Sequence, residues 1–124
     1  MFYSNRRTNN FLLKPMQFCL ASTKETIHLP PDLCGYVFGR SSIGRLGLQV
    51  QNAGFVDAGF HGQLTLELAN QTNTPMVLTP DLRVCQLVLM MMTDKADTPY
   101  AGKYHKQSGA TGSRIHEDYN GNSN

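Results

Sequence analysis

The segment Gly39-Arg40-Ser41-Ser42-Ile43-Gly44-Arg45-Leu46-Gly47 brings two arginines, two adjacent hydroxyls and three glycines into nine residues. A guanidinium offers a planar fork of donors that fits phosphate oxygens, and serine hydroxyls extend the grip. Glycine-rich turns free backbone N–H groups to point at an anion. The same composition also occurs in solvated loops with surface arginines, so both readings stand on composition. Glu67 lies in Gln63-Leu64-Thr65-Leu66-Glu67-Leu68-Ala69, where three leucines share one face and Gln63, Thr65 and Glu67 the other. A carboxylate in mid-strand is either a solvent-facing residue or a general base on a rigid element. Asp57, in Gly54-Phe55-Val56-Asp57-Ala58-Gly59-Phe60-His61-Gly62, is either a turn residue or an acceptor for a sugar hydroxyl. In Tyr100-Ala101-Gly102-Lys103-Tyr104-His105-Lys106-Gln107, two tyrosines and two lysines sit in a polar stretch. Such a stretch is either a lid, with aromatic faces over a base and ammonium groups over phosphates, or a disordered tail.

Other chemistries find less support. No cysteine lies within four residues of His28, His61, His105 or His116, so no zinc cage is expected. The serines carry no nucleophile motif such as GxSxG. Met90-Met91-Met92 reads as core or interface filler rather than a ligand set.

These residues need short, stiff elements to hold them. Turn signals recur at Lys14-Pro15, Pro30-Pro31-Asp32, Gly39, Gly44, Gly47, Gly54, Gly59, Gly62, Asn73-Thr74-Pro75 and Pro80-Asp81. That spacing leaves room for strands and none for long helices. Between the turns the pattern has period two, in Met16-Phe18-Leu20 as in 63–69. Cys34–Phe38 and Val84–Met91 read as buried or half-buried strands. Leu29-Pro30-Pro31-Asp32-Leu33 and Leu78-Thr79-Pro80-Asp81-Leu82 look like one type I corner used twice, each leading into a strand. The predicted class is all-β, a sandwich or barrel of short strands with little helix.

With 124 residues the chain is one domain, expected over 1–104, with 1–14 as a polar N-terminal segment and 105–124 as a flexible tail or lid. Apolar residues make up 40%, enough for one thin core that partners could complete. A net charge of +2 is too small to argue for nucleic acid or a membrane surface. The longest apolar run, Val84–Met92, is interrupted by Gln86 and too short to span a bilayer. Three cysteines without a CxxC pair, and no leader-like start, fit a reducing cytoplasm rather than a disulfide scaffold.

Taken together, Phe18–Ile115 resembles the dCTP deaminases of the trimeric dUTPase-like superfamily. The resemblance is carried by Leu20-Ala21-Ser22-Thr23 with Leu29–Leu33, GRSSIGRLG at 39–47, AGFVDAGFHG at 53–62, LTLELAN at 64–70, RVCQLVL at 83–89 and KYHKQSGATGSR at 103–114. GRSSIGR and a glutamate at position 67 tip it away from the related dUTPases. The resemblance implies a dUTPase-like β-clip, a distorted jelly-roll barrel, and a zinc-free deamination of dCTP. Glu67 would be the general base that takes a proton from water. Ser41 would help hold that water or the reacting centre, and Arg45 would complete the constellation electrostatically. Arg40 and Ser42 would meet phosphates, Asp57 the deoxyribose, and the backbone at Ala53 the base edge. Tyr100, Lys103, Tyr104 and Gln107 would close over the nucleotide. Magnesium would arrive with the triphosphate, and a homotrimer would build each site from neighbouring subunits. The family carries a sizeable N-terminal region, whereas seventeen residues precede Phe18 here, so the chain reads as lacking it.

The expected reaction is dCTP to dUTP and ammonia. The alternatives are a bifunctional reaction to dUMP and diphosphate, with which Gly109-Ala110-Thr111 and Asp57 are compatible, a dUTP diphosphatase, or a non-catalytic nucleotide-binding remnant. Ligands would be dCTP and, in the alternatives, dUTP or dTTP.

Overall fold

The computed structural model describes residues 10–51 and 54–119. Eight strands and two single-turn helices follow in the order β1 (Phe11–Leu13), β2 (Phe18–His28), β3 (Leu33–Gly39), α1 (Ser41–Gly44), β4 (Leu48–Val50), β5 (Phe55–Val56), β6 (His61–Asn70), β7 (Met76–Leu78), β8 (Cys85–Met91) and α2 (His116–Tyr119). They form three antiparallel sheets, β2-β6-β4, β5-β3-β8 and the ribbon β1-β7. The all-β class with little helix is as the sequence pattern indicates; among the described residues the sheets do not close into a barrel. No helix among the described residues is long and apolar enough to cross a membrane.

Strand β6 is the centre of its sheet. Leu64, Leu66 and Leu68 are buried while Gln63, Thr65 and Glu67 alternate with them as half-buried residues. Those leucines join Leu13, Cys19, Val37, Ile43, Leu48, Val56 and Phe60 in one core. Each fully buried leucine contributes about 2 kcal/mol through the hydrophobic effect. Along β2 the register with β6 runs from Phe18 opposite Ala69 to Ser22 opposite Thr65, then slips before resuming at Thr26 opposite Gln63. Thr23 fills the bulge: its hydroxyl donates to the Glu25 carbonyl at 2.8 Å and accepts from the Leu64 N–H at 3.0 Å.

Asn70 ends β6 and is fully buried, which a polar side chain tolerates only when bonded. Its amide donates to the carbonyls of Leu13 (3.1 Å) and Thr74 (2.8 Å), and its oxygen accepts from the N–H (2.9 Å) and hydroxyl (2.8 Å) of Thr72. One side chain thus ties β1, β6 and the turn before β7 together.

Two boundaries differ from the sequence expectation. Residues 11–13 are not part of a polar leading segment: they pair with β7, and Leu13 is completely buried. Three residues are too few to show a period, so the strand is invisible until its partner is known. Within 105–124, expected as a flexible tail or lid, residues 106–111 lie docked on β6 as described below. The two proline corners also part company. Leu33 N–H donates to Pro30 and Leu82 N–H to Thr79, both at 3.3 Å, but Asp81 takes φ 62°, which makes the second a type II corner.

Candidate active site

A cleft of about 560 Å³ opens beside β6. Its apolar wall includes Leu20, Val37, Phe55, Val56 and Phe60. Its polar groups include Glu67 from mid-β6, Asp57 from the turn after β5, and Tyr100, Tyr104, Gln107 and Thr111 from the C-terminal segment. Apolar walls with a few convergent polar groups are what an orienting small-molecule site needs.

The position of Glu67 follows from two pairings. It sits opposite Leu20 of β2, and its carbonyl accepts from the Gln51 N–H at 2.9 Å just beyond β4. Strands on both sides therefore fix its backbone, and the alternation of β6 aims its side chain away from the leucine face. Asp57 closes a tight turn, its carbonyl accepting from the Phe60 N–H at 3.1 Å. Asp57 is thus a turn residue that also lines the cleft.

The C-terminal segment forms the far wall as a strap. The Lys106 N–H donates to the His61 carbonyl at 2.5 Å. The Gln63 N–H donates to the Gln107 carbonyl at 2.9 Å, and the Gln107 amide returns to the Gln63 carbonyl at 2.7 Å. Further along, the Gly109 N–H donates to the Gln63 side chain at 2.6 Å and the Thr111 N–H to the Thr65 hydroxyl at 3.0 Å. Gly62 makes this approach possible: at φ 150° it has no Cβ, and one built there would stand 2.7 Å from the Gln107 carbonyl oxygen. Tyr100 and Tyr104 are themselves held, the Tyr104 N–H donating to the Tyr100 hydroxyl at 3.0 Å and the Arg114 N–H to the Tyr104 hydroxyl at 3.1 Å. The Gln107 Oε1 and the His105 Nδ1 are buried without a partner among the described residues.

Not every expected residue reaches the cleft. Ser41, Ser42 and Arg45 are exposed on and just after α1 and are absent from its lining. Ile43 pins that turn into the core between them. The Arg40 guanidinium donates to the Arg83 carbonyl at 2.7 Å. Lys103 is also outside the lining; its ammonium pairs with Asp118, and that hydrogen bond pushes its pKa up. Ala53 lies outside the described residues. Gln63 and Thr65 were not singled out from sequence, although their alternation with the leucines is the signal that places them under the strap. Among the described residues no three side chains of His, Cys, Asp or Glu group together.

Solved structures define the class to which this fold and cleft belong. The chain is similar to the native EIAV dUTPase (TM-score 0.60, 22% identity, covering 75% of this chain and 77% of that one). It is similar also to the 2'-deoxycytidine 5'-triphosphate deaminase of Agrobacterium tumefaciens (TM-score 0.65, 25% identity, covering 74% of this chain and 28% of that one). The fold is therefore dUTPase-like.

Within that class the chain belongs to the dCTP deaminase-like family, whose pattern matches residues 3–92. It is 49% identical over 123 residues to a Sulfurihydrogenibium sp. protein and 52% identical over 108 residues to one from Persephonella marina, both named "dCTP deaminase, dUMP-forming". These alignments cover 94% and 87% of this chain but 68% and 60% of the relatives, so the chain spans about two thirds of their length.

Proposed function

We propose that this chain carries the site of a bifunctional nucleotide deaminase that converts magnesium-bound dCTP, with two waters, into dUMP, diphosphate and ammonia. The observation that carries this reading is the convergence of Glu67, Asp57 and the tyrosine-bearing strap on one cleft. The names of the relatives favour dUMP over the dUTP expected from the sequence as the final product.

In the first half-reaction water adds to C4 of cytosine. Glu67 takes the proton from that water and passes it on, and the exocyclic nitrogen leaves as ammonia. The pinned backbone of β6 holds the carboxylate where a bound ring can meet it. Asp57 accepts from a sugar hydroxyl, while Tyr100 and Tyr104 cover the nucleotide and exclude bulk water. In the second half-reaction water attacks the α-phosphorus and diphosphate departs.

Arg45, Ser41 and Ser42 serve this reaction from a neighbouring copy in a homotrimer. Their outward placement supports this, as does an apolar sheet face on which Tyr36, Phe38, Phe55, Val88 and Met90 are all exposed. Phe55 stands on that face and at the cleft rim, and the Tyr36 ring meets it edge-on at 5.1 Å. The three unpaired cysteines suit a cytoplasmic setting.

The test is product chromatography after incubation with dCTP and Mg²⁺. Ammonia with dUMP and diphosphate is expected. Accumulation of dUTP would return the reaction to simple deamination, and unconsumed dCTP would refute the reading.

A further inference from the structure

The lining of the cleft carries two carboxylates, Asp57 and Glu67, and among the described residues no lysine or arginine. A nucleotide triphosphate needs cations near it. The strap holds one beside the lining: Lys103 directly precedes Tyr104, which faces the cleft. That cation is already engaged. Beyond Ser113 the chain turns back as α2, and the Asp118 carboxylate accepts from the Lys103 ammonium. Arg114 fastens this return. Its guanidinium donates to the Lys103 carbonyl and, at 2.7 Å, to the Glu117 carboxylate. Its main-chain N–H donates to the Tyr104 hydroxyl at 3.1 Å. Two cations are thus matched by two acids at the rim of the cleft. The Lys103 and Asp118 side chains remain 31% and 46% exposed, so their pair opens without disturbing the core.

We propose that Asp118 is a tethered competitor of the nucleotide's phosphates: it holds Lys103 until a triphosphate displaces it, and the ammonium then passes to the phosphate oxygens. This regulation rests on the reading of the cleft as a nucleotide site. Carboxylate and phosphate oxygens are both acceptors for an ammonium, so the two compete for one donor. Asp118 lies fifteen residues from Lys103 on the same chain, so its local concentration is set by that tether and not by the solution. An exposed pair of this kind is weak, and a polyanion overcomes it. A monophosphate offers fewer oxygens for the same displacement, so the clasp also disfavours retention of the product.

The experiment uses the full chain as Asp118→Asn, Lys103→Met and the double variant. Asp118 is exposed and Asn is its isostere, so the core is untouched. Binding of dCTP with Mg²⁺ is measured by calorimetric titration and turnover by product chromatography. Asp118→Asn should tighten dCTP binding about threefold, the size expected of one exposed ion pair. It should lower KM alike and leave kcat in place. Lys103→Met should weaken binding, and adding Asp118→Asn to it should change nothing further, since the acid acts through the ammonium. Unchanged or weaker binding in Asp118→Asn overturns the proposal. So does an equal gain in the Lys103→Met background, which would mean general charge repulsion instead of competition for Lys103. Tightened binding in a protein that forms neither ammonia nor dUMP would uphold the clasp and refute the proposed reaction. Full turnover with unchanged binding in Asp118→Asn would refute the clasp and leave the reaction standing.

Discussion

On the proposed reading the cleft and the arginine turn each hold half of the chemistry a nucleotide demands, and the fold treats them oppositely. Glu67 sits on a central strand between two paired neighbours, half-buried and covered by a strap. Ser41, Ser42 and Arg45 stand on a single helical turn, exposed, with Ile43 as the one buried anchor. Proton transfer tolerates little misplacement, and the proposed base is set on a central strand. The proposed phosphate grip stands on a short, glycine-bounded turn at the molecular surface. The difference teaches that a carboxylate and a cationic turn of one chain can face different ways.

The most severe way to break this comparison is Glu67→Gln. Ammonia release should fall by about 10³-fold or more while dCTP still binds, read by ammonia assay and calorimetric titration. Residual deamination near the wild-type rate would remove Glu67 from the chemistry.

A mixing experiment sharpens it. Glu67→Gln and Arg45→Ala should each be inactive alone. Co-refolded in equal amounts, they should recover about a quarter of wild-type activity if each site draws on two subunits, because that fraction of interfaces pairs two intact halves. A mixture as dead as its components would mean that the two halves never meet.

Next in size is the frame. Asn70→Ala strands two carbonyls and two donors around a fully buried position. It should cost about 2–4 kcal/mol in chemical denaturation. A loss below half a kcal/mol would show that β1 and β7 are held by other contacts.

A smaller effect is expected from pH. Burial raises the Cys19 and Cys85 thiols above their ordinary value of 9.0. The folded state therefore favours the protonated thiol, and this stability is complete below pH 9.0 and lost as pH climbs through the raised folded values. Melting temperatures should fall above pH 9, less steeply in Cys19→Val; identical slopes would remove Cys19 as a cause. The smallest effect belongs to Lys24→Met. Its pair with Asp81 at 2.8 Å is exposed on both sides, so the melting temperature should not move measurably.

How much of this was legible depends on where the signal resides. The alternation at 63–69 announced β6 and the facing of Glu67, since a strand buried on one face must write its period into the sequence. The Gly39–Gly47 segment declared its chemistry but hid its shape, because three glycines mask a helix only one turn long. Phe11–Leu13 and the docking of 106–111 on β6 were illegible for a shared reason. Both depend on partners far along the chain, and the strap is recognised largely through its backbone N–H groups, which every residue other than proline possesses. Lys103 was expected over phosphates from its type; its pairing with Asp118 depends on a fold-back that no local pattern records.

Gly62 bears on how such a protein could change over generations. At a position where one added methyl would meet the Gln107 backbone, a single codon change could dislodge the segment that walls the cleft while sparing the hydrophobic interior. One carbon atom at a residue outside the cleft lining would thus shift the wall of the cleft, an effect out of proportion to its size.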